Sequence, residues 1–361
     1  MIKGKLPFGN ARRSGQHRQL DAEGDPGIPA ARTSPRPLFG DASAAPESSS
    51  WHAEPAVPFA EPEGGKQGGP PQWAPIVVDE PIVDFEPKPP TTNSYRPDTV
   101  FDGWSSEYLT VRLASVRGYS HRYSGLPRQD DAVVEFHRGS GAVLFAVADG
   151  VSSARQSDVG ASTACMTAIA TMRWQLDTGR GMDLTYVAED AARSLTAQAA
   201  QMLDQDQVTA AAVEELLATT LVAGYIAPSA DGCGGAIIQI GDSSAWILAQ
   251  DRFYPMLEQK NDPHAEFISS AVSPLPRIPE HLAAVEFSLC SGDALLIGTD
   301  GFGDPLGDGE GKVGYLFAEN LRRPPPSRGL AHLLDFSRDT FDDDRTLVAV
   351  WPRPPKPGVT K

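Results

Sequence analysis

The chain has 361 residues, 47 of them acidic and 31 basic, for a formal net charge of −16 and an isoelectric point near 4.8. That balance argues against a binder of nucleic acid or of an anionic membrane, and no apolar run reaches the ~18 residues that a membrane span needs. Three widely spaced cysteines, Cys165, Cys233 and Cys290, form no C-x-x-C pair. This excludes a cysteine-based zinc site and fits a reducing, cytoplasmic setting.

In chain order, residues 1–104 read as a disordered Pro/Gly-rich tail, with stretches such as "GDPGIPAARTSPRP" and "AEPEGGKQGGPPQ". Such composition buries too little apolar surface to offset the entropy of ordering it. The basic start lacks an apolar core behind it, so it is not read as a signal peptide. Thr33 and Ser34, beside Arg32 and Pro35, suit a kinase target and suit disorder equally. Within the tail, "WAPIVVDEPIVDFEP" (73–87) is more apolar, and its prolines break regular structure. It reads first as linker and otherwise as a short motif docking on a partner or on the domain.

Residues 105–352 form the expected folded domain, with 353–361 as a second tail. "YLTVRLASV" and "AVVEFH" alternate like half-buried strands, and "AVLFAVA" is apolar throughout, like a central one. Two helices follow. The first, near 157–176, sets Ala161, Cys165, Ala168, Ile169 and Met172 on one face. The second, near 183–204, does so with Leu184, Val187, Ala191, Leu195 and Met202. Strands then return ("TTLVAGYIA", "AIIQIGD", "AWILAQ", "FYPML", "AVEFSLC", "ALLIGTD"), and a helix near 329–337 precedes a last strand, "TLVAVW". This order does not alternate as a βαβ series would. It predicts an α+β fold of antiparallel sheets covered by helices. Cys165 and Cys290 fall in apolar patterns and are expected in the core.

Aspartates recur where these strands start or stop. "LFAVADGVSSA" ends a strand on Asp149-Gly150, and "QDDAVVEF" places Gln129, Asp130 and Asp131 before one. "IIQIGDSSAWIL" bends at Gly241-Asp242, "ALLIGTDGFGD" carries Asp300 and Asp304, and "FDDDRTLVAVW" leads in with Asp342, Asp343 and Asp344. Each alone reads as an ordinary turn or solvated loop. Together they read differently, because like charges at neighbouring strand ends repel unless a cation lies between them. Hard divalent ions favour such oxygen ligands.

The ordered set, spread over residues 120–351, resembles the PP2C-type (PPM) family of metal-dependent Ser/Thr protein phosphatases, most closely its bacterial branch. "FAVADGVSSA" is similar to the family's strand-Asp-Gly motif and "GDSSAWIL" to its Gly-Asp-Ser-x-Ala hairpin. "LLIGTDGFGD" is similar to its Ser/Thr-Asp-Gly-x-x-Asp motif, and "DDRTLVAV" to its closing strand. The resemblance implies an α-β-β-α sandwich and two Mn²⁺ or Mg²⁺ ions with a weaker third. Asp149 would bridge the two ions, Gly150 would lend its carbonyl to one, and Asp300 and Asp343 would complete the other site. These three aspartates are the implied catalytic set. Asp130 would hold metal-bound water beside Gln129, and Asp242 with Asp304 would form or border the third site. A water activated between the ions would attack phosphoserine or phosphothreonine in line.

Three positions depart from the family pattern. Gln129 stands where a glutamate is usual, Gly125 where many relatives carry a phosphate-gripping arginine, and Val151 where eukaryotic members carry a histidine. His121, Arg122 and Arg128 are the nearby candidates for the substrate phosphate. The implied partners are a phosphorylated protein, an opposing Ser/Thr kinase and a von Willebrand A-type protein. The alternative reading is a pseudophosphatase or regulatory interaction module that keeps the fold without efficient turnover.

Overall fold

The computed structural model describes residues 73–83, 85–90, 96–229, 232–257 and 273–353. The expectations for Thr33 and Ser34, for the first 72 residues and for 354–361 lie outside these. In chain order come β1 (Thr99–Ser105), β2 (Leu109–Val116), α1 (Tyr119–Ser124), β3 (Asp131–His137), β4 (Ala142–Ala148) and α2 (Ser157–Asp177). Then follow α3 (Leu184–Leu203), α4 (Ala210–Leu217), β5 (Leu221–Ser229), β6 (Gly232–Ile240), β7 (Ser244–Ala249) and β8 (Arg252–Pro255). The last are β9 (Val285–Leu289), β10 (Ala294–Gly298), α5 (Asp300–Leu306), α6 (Lys312–Leu321), α7 (Ser327–Leu334) and β11 (Arg345–Pro352).

Side-chain alternation sorts the strands into layers. In β4, Val143, Phe145 and Val147 point one way, while Ala142, Leu144, Ala146 and Ala148 point the other. The first set meets Leu109, Val111, Leu295, Ile297, Val348 and Val350 in a core between two sheets. One sheet has the order β1-β2-β11-β10-β7-β8 and the other β3-β4-β5-β6-β9, with antiparallel pairing throughout. Small residues on the outer face of β4 admit α2, α3 and α4 closely. Over the other sheet, α5, α6 and α7 pack through Phe302, Phe317 and Leu330, joined by Phe336 just after α7. This is the α-β-β-α sandwich expected from the motifs.

Phe317 is wholly buried and meets Phe302 and Phe336 edge-on, at 5.0 and 6.1 Å between centroids. Phe317→Ala is expected to destabilise the chain by about 3–5 kcal/mol, the range for an aromatic truncated in a packed core. Urea unfolding followed by circular dichroism measures it.

The structure corrects several expectations. Order begins before residue 105. β1 starts at Thr99, and the 73–90 stretch docks on the domain through paired bonds from Val78 N–H to Ser337 O (2.9 Å) and from Ser337 N–H to Ile76 O (2.8 Å). The linker reading of 73–87 gives way to the docking one, since Val78 is itself buried in the core under α7. The bend at Gly241-Asp242 is no hairpin, because β6 and β7 belong to different sheets and the chain crosses between them there. Gly241 has φ +98°, a conformation that L side chains rarely adopt, and a Cβ on it would lie 2.5 Å from Thr220. Met202, expected on the buried face, is 38% exposed in the last turn of α3. Cys290 is exposed in the turn before β10, whereas Cys165 is buried. Among the described residues no helix is long and apolar enough to cross a membrane.

Candidate metal centre

The strand directions bring the suspected aspartates to one end of the sandwich. β4 ends at Ala148 opposite Asp131, the first residue of β3, so Asp130 and Asp149 are neighbours in one sheet. In the other sheet β10 ends at Gly298 opposite Leu347 of β11, so Asp300 and the Asp342–Asp344 run are neighbours too. The backbone of Asp149 is fixed on both sides. Its N–H donates to Thr220 Oγ1 (2.9 Å), and its carbonyl accepts from Thr220 N–H (2.8 Å) and Thr219 Oγ1 (2.8 Å). Gly150 follows because nothing larger fits: a Cβ there would lie 2.7 Å from the carbonyl oxygen of Ser157, where α2 begins.

Asp130 is buried, and its Oδ2 accepts from Thr299 Oγ1 at 2.7 Å. Thr299 Oγ1 in turn accepts from Thr346 N–H (3.1 Å), and Thr346 Oγ1 shares a hydrogen bond with Ser115 Oγ (2.6 Å). Arg128 closes this network by donating to Ser115 Oγ and to the Asp130 carbonyl (2.8 Å). Asp343 lies on the exposed lip, its Oδ1 accepting from Asp344 N–H at 2.8 Å. Asp344 is buried and serves as a hub. It accepts from Gly118 N–H (2.6 Å) and Gln129 N–H (2.5 Å), and its Oδ1 lies 2.9 Å from His121 Nδ1.

These carboxyls act on one another. Burial, then Asp344 and Asp343, hold the Asp130 carboxyl well above the usual carboxylate range. Asp149 is likewise raised, by burial, by the charges of Asp130 and Asp300, and by a side-chain hydrogen bond with Asp300. Asp343 is pushed up to about 6 by the partial burial of its carboxyl and by Asp344 and Asp300. Burial disfavours a charged His121, yet the bond to Asp344 and the nearby Asp343 and Asp130 raise its basicity overall. A set of aspartates that resists joint ionisation is the electrostatic signature of a place for cations.

Asp130, Asp149, Asp300 and Asp343 therefore meet, with Gln129 held beside them through Asp344. Asp242, half-buried at the sheet-crossing corner, and Asp304, exposed on α5, stand outside the set whose charges act most strongly on one another. Two of the phosphate candidates are committed elsewhere. Arg122 grips both oxygens of Asp98 (3.0 and 2.8 Å) and one of Asp335 (2.7 Å). Arg128 is buried inside the hydroxyl network. Freeing either guanidinium for substrate would leave these acceptors unpaired. His121 lies against Asp344 and is acted on by Asp343 and Asp130, while Arg128 meets Asp130 from within the buried network. Sequence reasoning did not single out Asp344, Thr299 or Arg96. Only the D-D-D run hinted at Asp344, with nothing to separate a buried hub from an exposed ligand.

The side chains suit hard divalent ions. Asp130, Asp149, Asp300 and Asp343 offer only oxygens, and the Oε1 of Gln129 is buried without a hydrogen-bond partner among the described residues, an acceptor that a metal-bound water would satisfy. One ligand atom each from His121, Asp343 and Asp344 lies within 4.8 Å of the others. The thiols do not belong to this chemistry. Burial, and for Cys165 also the charge of Asp131, raise the Cys165 and Cys233 thiols, and Cys290 precedes β10 at the end remote from Asp300. Alkylating the native chain is expected to label Cys290 alone and leave activity unchanged, as mass spectrometry with a turnover assay would record.

Residues 117–335, more than half of the chain, match the family model described as Protein phosphatase 2C. No curated protein matches the chain. Among solved structures it is similar to the catalytic domain of the serine/threonine protein phosphatase PstP in complex with two manganese ions. That match has 19% identity and a TM-score of 0.48, covering 68% of this chain and 99% of that one. It is also similar to PppA, a regulatory component of T6SS in Pseudomonas aeruginosa, at 17% identity and a TM-score of 0.46, covering 70% and 100%. A third is RsbX in complex with magnesium, at 10% identity and a TM-score of 0.47, covering 70% and 100%.

Proposed function

The chain belongs to the protein phosphatase 2C family, and from that premise we propose that it is a metal-dependent phosphatase of phosphoserine and phosphothreonine in proteins, opposing a Ser/Thr kinase. The observation that carries this reading is the meeting of Asp130, Asp149, Asp300 and Asp343 at one end of the sandwich, where burial and the neighbouring carboxylates raise the carboxyls of Asp130, Asp149 and Asp343. Asp149, Asp300 and Asp343, with the Gly150 carbonyl, would hold two Mn²⁺ or Mg²⁺ ions. Gln129 and Asp130 would orient their waters, and Asp242 and Asp304 would border a weaker third site. When bound, the ions supply an activated water and countercharge for the phosphoryl oxygens.

The chain's own part is to hold this arrangement rigid. Thr219 and Thr220 fix the Asp149 backbone, Thr299 orients Asp130, and Asp344 ties Gly118, Gln129 and His121 into one frame. His121, kept basic by Asp344 and facing Asp343, is the cationic group assigned to the substrate phosphate in place of the arginine missing at Gly125. A von Willebrand A-type partner rests on the resemblance alone. The test is hydrolysis of a phosphothreonine peptide by the purified chain with Mn²⁺ and then with chelator. Turnover that is lost with chelator and restored by Mn²⁺ supports the proposal. Bound metal without turnover would favour the pseudophosphatase.

A further inference from the structure

The family match begins at residue 117, yet the chain before it touches the metal centre from two sides. On one side is Arg96. Its guanidinium makes four bonds, from Nε to Arg128 O (2.6 Å), from Nη2 to Asp130 O (2.5 Å), and from Nη1 to Asp131 Oδ2 (3.2 Å) and Ser162 Oγ (2.6 Å). Its side chain is 9% exposed. Two of its acceptors are main-chain carbonyls flanking and including Asp130, so the fork fixes the path of the loop that carries this carboxylate. Ser162 Oγ also donates to Asp131 Oδ2 (2.6 Å), which ties the loop and Arg96 to α2.

On the other side, the earlier part of the segment holds the elements that carry His121, Asp343 and Asp344. Lys88 N–H donates to Arg122 O (2.9 Å) in α1, and Lys88 O accepts from Arg117 (3.3 Å). Asp339 N–H donates to Glu80 O (2.7 Å), and Ile82 N–H to Ser337 Oγ (2.9 Å), just ahead of the Asp342–Asp344 run. Helix α1 in turn binds that run, Ser120 N–H donating to Asp342 O at 2.9 Å.

We propose that the described residues 73–83, 85–90 and 96–98 form a clamp built into the metal centre, and that Arg96 is a positioning residue for Asp130. The inference rests on the metal-centre reading above and adds to it a dependence on residues outside the family's matched span. Arg96 touches neither substrate nor metal. It acts by holding the Asp130 carbonyl and the Asp131 side chain, so that the Asp130 carboxylate stays within reach of Thr299. Lysine cannot replace it, because a single ammonium cannot span acceptors set in a fork.

The experiment compares the wild-type chain, Arg96→Ala and Arg96→Lys by calorimetric titration with Mn²⁺. Hydrogen exchange of the 129–132 amides is followed in parallel on the metal-free proteins. Both variants are expected to bind Mn²⁺ about 10- to 100-fold more weakly, the usual cost of removing a group that orients a ligand, and to exchange faster across that loop. Phe317→Ala, destabilised in a remote core, serves as control and should bind Mn²⁺ as the wild type does. Should Arg96→Ala not fold, Arg96→Lys carries the comparison. Wild-type affinity in the Arg96 variants, or an equal loss in Phe317→Ala, would overturn the proposal. A wild-type chain that bound no manganese would overturn the metal-centre reading instead, and the exchange data, taken without metal, would still decide whether Arg96 sets the loop.

Discussion

Asp149→Asn is expected to lower hydrolysis of a phosphothreonine peptide by at least about 100- to 1000-fold, while leaving the metal-free chain as stable as the wild type or more so. The two effects have one cause. Asp149 lies among Asp130, Asp300 and Asp343, and its carboxyl is raised by burial and then by the charges of these neighbours. Neutralising it removes a charge that cations would require and that the empty cluster tolerates poorly. Asp300→Asn and Asp343→Asn should be similarly inactive, and double variants hardly worse than single ones, since residues that act as a unit are not additive. Asp242→Asn should retain more activity, because Asp242 stands outside the strongly coupled set. Turnover with Mn²⁺, metal titration and thermal unfolding together measure this. Wild-type rate and metal affinity in Asp149→Asn would remove the two-ion reading altogether.

With chelator present, the melting temperature is expected to fall as pH rises from about 4 through about 6, and added Mn²⁺ should reverse the trend. The sign follows from proton counting. In the unfolded chain an aspartate releases its proton near its ordinary value of 3.8, whereas in the folded chain Asp343 holds it to about 6, and Asp130 and Asp149 are raised as well. Between those limits the folded state binds more protons, so raising the pH favours unfolding. His121 acts in the same direction. Its raised basicity lends stability below its unfolded value, and that stability is lost as pH climbs through the folded one. A divalent ion binds the ionised cluster only in the folded state, and at 100 times its dissociation constant it adds about 2.7 kcal/mol. A chelated chain whose stability was flat or rising over this range would show that the carboxylates are not coupled as the structure has them.

The motif aspartates were legible because the chemistry fixes both residue type and place: a carboxylate straight after or before an apolar run. The layer order was legible from alternation in runs such as "AVLFAVA" and from the two long helical faces. What escaped depends on partners far along the chain. Arg122 reads as an exposed loop cation until Asp335 is brought to it, and Arg128 until Ser115 is. The stretch at 73–90 contains prolines that rightly exclude a helix, but docking by scattered hydrogen bonds and one buried valine leaves no periodic trace. Helix α1 occupies only "YSHRYS", too short for a helical period to emerge. Gly241-Asp242 looks the same in sequence whether the chain turns back beside itself or passes to the other sheet.

The position of β11 has a consequence for how the protein comes into being. It is the last of the described strands, yet it lies inside its sheet between β2 and β10, and Asp343 and Asp344 stand at its threshold. During synthesis, β2 must wait for more than two hundred later residues before its inner edge is paired. Long-range pairing of this kind slows folding and leaves strand edges exposed meanwhile. The acidic cluster is likewise incomplete until that strand leaves the ribosome. A nascent or truncated chain lacking β11 and its lead-in has neither a closed sheet nor the complete acidic cluster, so the two are finished together at the end of synthesis.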